Sequence, residues 1–254
     1  MKDEAKRDRL FPAFDAFLLF IILNFTLQPL TEPDFGWHLR TGLDLLWQGG
    51  TLPALDPYSH TMPDWPWVEH AWLTDLIVGA FYQMFGALGV ILFFGAVTSG
   101  AWLVASCSVP CNRTARLLAC ALSLWVALPY LGARTQMVTL LGLAVLLVIL
   151  QRSLNGGTRV LWLIPPLFLL WANLHGGFTA GLFLLGLMMA CFAMVKGVLH
   201  WATGLAVHLD ERPLAWPTIG TLMVGGGVAA LVTLVNPYGW RLYGEIIDSL
   251  SNQF

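Results

Sequence analysis

Apolar runs long enough to cross a bilayer recur along this chain, and they constrain its fold more tightly than any motif. Windows approaching the roughly 20 residues needed to span the hydrocarbon core lie at 12–30, 88–108, 115–132, 135–151, 160–174, 177–196 and 216–235. Hydrocarbon offers no partner to an N–H or C=O, so each run has to close its backbone hydrogen bonds internally as a helix. Composition agrees: 57% of the 254 residues are hydrophobic and 11% charged, with a mean hydropathy of +0.70, well away from soluble domains. The expected fold is an all-α polytopic membrane protein with about seven transmembrane helices. A formal net charge of -2 without a basic stripe gives no footing for nucleic acid.

The first run, 12–30, is longer than a signal-peptide core. It leads into Gln28-Pro29-Leu30-Thr31-Glu32 in place of a small-residue cleavage site, so it is expected to stay as an anchor. Residues 31–87 then form a long polar loop, and 88–254 carry the remaining spans. Lys2, Lys6, Arg7 and Arg9 put the N-terminus on the cytoplasmic side, and the loop outside. The 69–85 segment reads as an interfacial helix, because Glu69, His70, Asp75 and Gln83 interrupt its apolar stripe. With that helix lying on the membrane, Arg113, Arg116, Arg152, Arg159, Lys196 and Arg212 fall inside; if it crossed, they would fall outside. Cys107, Cys111, Cys120 and Cys191 lack the paired spacing of a zinc site and read as small packing residues.

Polar residues at such a boundary are candidate site residues by default. The sharpest cluster is Glu32-Pro33-Asp34-Phe35-Gly36-Trp37-His38-Leu39-Arg40. The stretch from Asp34 to Gly50 is expected to be a short amphipathic helix with Phe35, Leu39, Leu43 and Leu46 on its apolar stripe. Helix capping explains an acid at that start; the alternative is a base or cation ligand facing a cavity, flanked by His38 and Arg40. His38, His60 and His70 have no close His-x-x-x-His spacing, which favours interfacial histidines over a zinc site. Asn173 and His175 precede Gly176-Gly177 between two spans, where a plain turn and a polar cavity lining are both open. Arg134, beside Gln136 in a short connector, either snorkels or clamps an anionic headgroup.

Five segments recur in an order that resembles a known group: Glu-Pro-Asp-Phe-Gly-Trp-His-Leu-Arg-Thr-Gly at 32–42, Leu-Asp-Pro-Tyr-Ser at 55–59, Pro-Trp-Val-Glu-His-Ala-Trp-Leu at 66–73, Asn-Leu-His-Gly-Gly at 173–177 and Asn-Pro-Tyr-Gly-Trp at 236–240. The set is similar to the N-terminal half of bacterial polytopic membrane proteins related to the GT-C glycosyltransferases, which include the dolichyl-phosphate-mannose protein mannosyltransferases. The resemblance implies an inner-membrane enzyme that moves a sugar from a polyprenyl-phosphate carrier to an acceptor at the external face, with inversion. It implies Asp34 as the catalytic base or acceptor-orienting acid, with His38, Arg40, Glu69, His70, Arg134, Gln136, Asn173 and His175 binding substrate. Arg134 would meet the carrier phosphate. Glu69-His70-Ala71-Trp72 stands where relatives often read Asp-His-Glu-Trp, and the chain is expected to be truncated at its C-terminus relative to them. The implied partners are a lipid-linked sugar and membrane lipids. No organic cofactor is expected, and a divalent cation stays open. The alternative is a noncatalytic polytopic scaffold subunit of a larger membrane complex; a transporter is disfavoured because no paired broken helices repeat along the chain.

Overall fold

The computed structural model describes residues 16–61, 64–108, 111–201 and 216–251. Regular structure among them is helical: α1 (Ala16–Thr26), α2 (Phe35–Trp47), α3 (Trp72–Ser108), α4 (Arg113–Ala127), α5 (Gln136–Leu154), α6 (Ile164–Leu174), α7 (Phe178–Trp201), α8 (Trp216–Val232) and α9 (Arg241–Ser251). Short 3-10 turns at Leu128–Tyr130 and Thr158–Leu163 join α4 to α5 and lead into α6. Helices overlap the apolar runs, but among the described residues fewer than the expected seven are long and apolar enough to span a bilayer. Three are long and apolar enough to cross a membrane, namely Trp72–Ser106, Gln136–Leu154 and Phe178–Gly197. Ala16–Thr26, Thr158–Leu174 and Trp216–Val232 are shorter apolar helices. The basic N-terminal residues 1–15 and Arg212, used above for orientation, lie outside the described residues.

The expected interfacial helix at 69–85 and span at 88–108 form one helical stretch, α3, broken at Gly86. Gly86 has φ 61° and ψ -154°, a region that side-chain-bearing residues hardly enter. A single glycine thus breaks the helix between the two segments that the sequence distinguishes.

The chain divides into two units, residues 1–47 with 75–144, and residues 48–74 with 145–254. In the first, Leu18 and Ile22 of α1 pack with Val78, Val90 and Phe94 of α3, Cys120 and Leu124 of α4, and Met137 of α5. Asn112 opens α4 by accepting the Ala115 N–H through its side chain at 2.8 Å, the usual repair for an orphan N-terminal donor. Cys120 is buried as expected, whereas Cys111 and Cys191 are exposed on the isolated chain.

Helix α2 turns inward a face of small and polar residues with Leu45. Phe35, Leu39, Leu43 and Leu46, the expected apolar stripe, are half-buried, while His38, Thr41, Gly42 and Leu45 are buried. The reason is closeness, because a Cβ on Gly42 would lie 1.9 Å from the Asp75 carbonyl oxygen, and one on Gly79 would lie 2.6 Å from the Gly42 carbonyl carbon. The α2 and α3 backbones meet there, as small residues allow when helices cross in membrane proteins.

In the second unit, α6 packs on α8, and α8 also meets α7 and the 3-10 turn before α6. Phe168, Trp171, Phe178 and Leu222 are fully buried there. Within the 48–74 segment a bridge pairs Leu55 with Pro66, and the Asp56 N–H donates to the Trp65 carbonyl at 2.8 Å.

Overpacking usually costs about 1–3 kcal/mol, and a contact this short against backbone belongs at the upper end. Gly42→Ala is therefore expected to lower unfolding stability in mixed micelles by about 3 kcal/mol. Gly36→Ala, whose Cβ would meet nothing within 4 Å, should leave it unchanged. Equal stabilities for the two variants would contradict the close crossing.

Candidate functional site

The first unit holds a small open cavity of about 40 Å3, room for about three water molecules at roughly 10–15 Å3 each. Four of the expected site residues line it: Asp34, His38, Arg134 and Gln136. Glu32, Phe35 and Thr135 complete its polar and aromatic wall. Two sequence segments thus converge on one spot, the entry to α2 and the entry to α5.

Asp34 and His38 are one helical turn apart, and the His38 N–H donates to the Asp34 carbonyl at 3.4 Å. That spacing puts both side chains on one face. The Asp34 side chain is exposed, and among the described residues no helix N–H is bonded to its carboxylate, so capping does not occupy it. Arg134 is different: its guanidinium forms an ion pair with the Glu32 carboxylate. An incoming phosphate would have to share that guanidinium with an acid already in place. Arg40 is not part of the cavity; it is exposed, bonds Asp44 at 3.0 Å and lies 5.6 Å from the Trp47 ring.

His38 leads to a residue that sequence reasoning passed over. Its Nδ1 lies 2.7 Å from Asp75 Oδ1, with the Asp75 side chain 0% exposed. Trp37 stacks on the His38 ring with centroids 3.6 Å apart. Asp75 was legible only as an interruption of an apolar stripe; a carboxylate buried in such a run needs a partner, and here that partner is the imidazole. An imidazole and a carboxylate are also ligand types that a divalent cation takes.

The other four expected residues, Glu69, His70, Asn173 and His175, belong to the second unit. Asn173 is 9% exposed and engaged in the fold. Its Oδ1 accepts the Trp72 indole N–H at 3.1 Å, while its Nδ2 donates to the Leu169 and Val235 carbonyls at 2.9 Å and 2.8 Å. Beside it, the Thr74 hydroxyl donates to the Leu174 carbonyl at 2.6 Å, covering an end of α6. His175 Nδ1 accepts the Gly177 N–H at 3.0 Å, and its ring meets His70 edge to face at 5.6 Å between centroids. A Cβ on Gly176 would press within 3.3 Å of Ile246 of α9, so Gly176 lets α9 rest on this turn. Glu69 is 1% exposed, and its Oε1 accepts the Ala71 N–H at 3.2 Å. His60 is exposed and joins no cluster of metal-ligating side chains found among the described residues.

Comparisons with family models, with curated proteins and with solved structures return no match for this chain.

Replacing Asn173 by Leu would leave the Trp72 donor and the Val235 carbonyl without their bonds. A buried polar group left unsatisfied costs about 1–3 kcal/mol. A clear drop in the melting temperature of the nanodisc-embedded protein is expected, and an unchanged melt would show that these bonds carry no stability.

Proposed function

We propose that this protein is a membrane glycosyltransferase that passes a sugar from a polyprenyl-phosphate carrier to an acceptor at the external membrane face. The observation that supports the reading is the meeting of Asp34, His38, Arg134 and Gln136 on one cavity, residues singled out from separate segments of the chain. The cavity is too small for a whole sugar, and it suits the reacting end of an acceptor, a single hydroxyl or amine with its water.

The chemistry follows from the uncommitted acid. An acceptor hydroxyl approaching Asp34 gives its proton to the carboxylate as its oxygen bonds the anomeric carbon. The bond from that carbon to the phosphate oxygen breaks at the same time, and its electron pair leaves with polyprenyl phosphate. Attack from the face opposite the leaving group inverts the anomeric centre. Cationic groups lower the barrier where negative charge grows on the leaving phosphate. Arg134 fills that role in this proposal, exchanging part of its pairing with Glu32 for the phosphate oxygens.

The test uses the purified protein in nanodiscs, a panel of radiolabelled polyprenyl-phosphate sugars and a bacterial membrane extract as the source of acceptor. General-base catalysis contributes about 10²–10⁴-fold. Asp34→Asn should therefore cut release of polyprenyl phosphate by about that factor, with the melting temperature unchanged because the side chain is exposed. Equal release by wild type and variant would remove the catalytic assignment and leave a scaffold subunit as the reading to pursue.

A further inference from the structure

Asp75 is a buried acid that the proposed reaction does not use, and its surroundings give it a specific task. It sits in the first turns of α3 with its side chain 0% exposed. A carboxylate so placed survives only with a partner, and its Oδ1 faces His38 Nδ1 at 2.7 Å. One turn further along both helices, Gly42 and Gly79 bring the backbones into contact. The matching spacing, His38 to Gly42 and Asp75 to Gly79, is four residues on each helix, so the same crossing that excludes a Cβ also fixes the distance between imidazole and carboxylate. His38 in turn forms part of the cavity wall that includes Asp34.

We propose that Asp75 is a positioning residue for this cavity: it holds the His38 ring in one orientation and keeps a proton on Nδ1. An ionised carboxylate only accepts hydrogen bonds, so the nitrogen facing it has to be the donor. In the neutral ring the lone pair then resides on Nε2. Such a carboxylate behind an imidazole sets both tautomer and orientation. The meaning of this device for sugar transfer rests on the function proposed above; the positioning itself does not.

The experiment is nitrogen NMR on the full chain in nanodiscs, labelled with ¹⁵N-histidine, the His38 signals being identified by their loss in His38→Gln. In the wild type, Nδ1 of His38 is expected to carry a proton at neutral pH. Asp75→Glu should keep it, and Asp75→Leu should lose it, with the proton moving to Nε2. A wild-type spectrum with Nδ1 bare overturns the proposal even if Asp75→Leu fails to fold, and so does an Asp75→Leu spectrum identical to wild type. Release of polyprenyl phosphate is measured on the same samples and should fall at least tenfold in Asp75→Leu but not in Asp75→Glu. The expected spectra with no release from any sample would uphold the positioning and overturn the glycosyl-transfer reading alone.

Discussion

The contact between the backbones of α2 and α3 at Gly42 and Gly79 underlies the arrangement of the first unit. Neither position tolerates a Cβ without moving main chain, and the contact they allow sets the depth at which α2 lies against α3. That depth buries His38 and Asp75 together and brings Asp34, one turn earlier on α2, to the cavity. A hydrogen bond to a charged group contributes about 1.5–3 kcal/mol. Removing one member of such a buried pair is strongly destabilising in general. Packing and chemistry are thus linked at one crossing: the glycines decide where the helices meet, and the ionisable pair decides which register is stable.

The second unit handles its polar motif residues in another way. Asp56 accepts the Tyr58 and Ser59 N–H groups at 2.8 Å and 3.0 Å, and Tyr58 meets Trp67 edge on. Asn236 donates to the Thr233 and Gly239 carbonyls and accepts from the Tyr238 N–H. Asn173 gathers Trp72, Leu169 and Val235. Each supplies hydrogen bonds to backbone that has left a helix, which is what segments near hydrocarbon require. The motifs at 55–59, 173–177 and 236–240 are therefore well explained as turn chemistry, whereas 32–42 contains side chains that no turn uses.

Much of the helical layout was legible because apolar length is a coarse quantity. The runs at 135–151 and 177–196 correspond to α5 and α7 almost end to end, and the break between 85 and 88 appears as Gly86. The inward face of α2 was not legible. Hydrophobicity points to Phe35, Leu39, Leu43 and Leu46, but the decisive property is the small size of Gly42 opposite Gly79, and pairing between distant glycines leaves no periodic trace. Asp75 was missed for a related reason: its partner lies 37 residues away, and sequence spacing reveals only neighbours along one helix. Arg134 was recognised as a charge at a boundary, yet its pairing with Glu32 depends on how the entries to α2 and α5 come together. The cavity residues that sequence reasoning did name were found because charged groups beside apolar runs are rare and conspicuous.

Under the proposed function, Asp34 stands uncommitted at an open cavity against which the reacting end of a lipid-linked sugar docks. Carbodiimide coupling of a small amine to exposed carboxylates, read by peptide mass spectrometry on the nanodisc-embedded protein, measures this directly. Asp34 is predicted to be modified readily in the absence of substrate and to be protected by a polyprenyl-phosphate sugar, while the matching polyprenyl alcohol gives no protection. Asp34 that resists modification, or is modified equally with and without the lipid-linked sugar, would contradict the account.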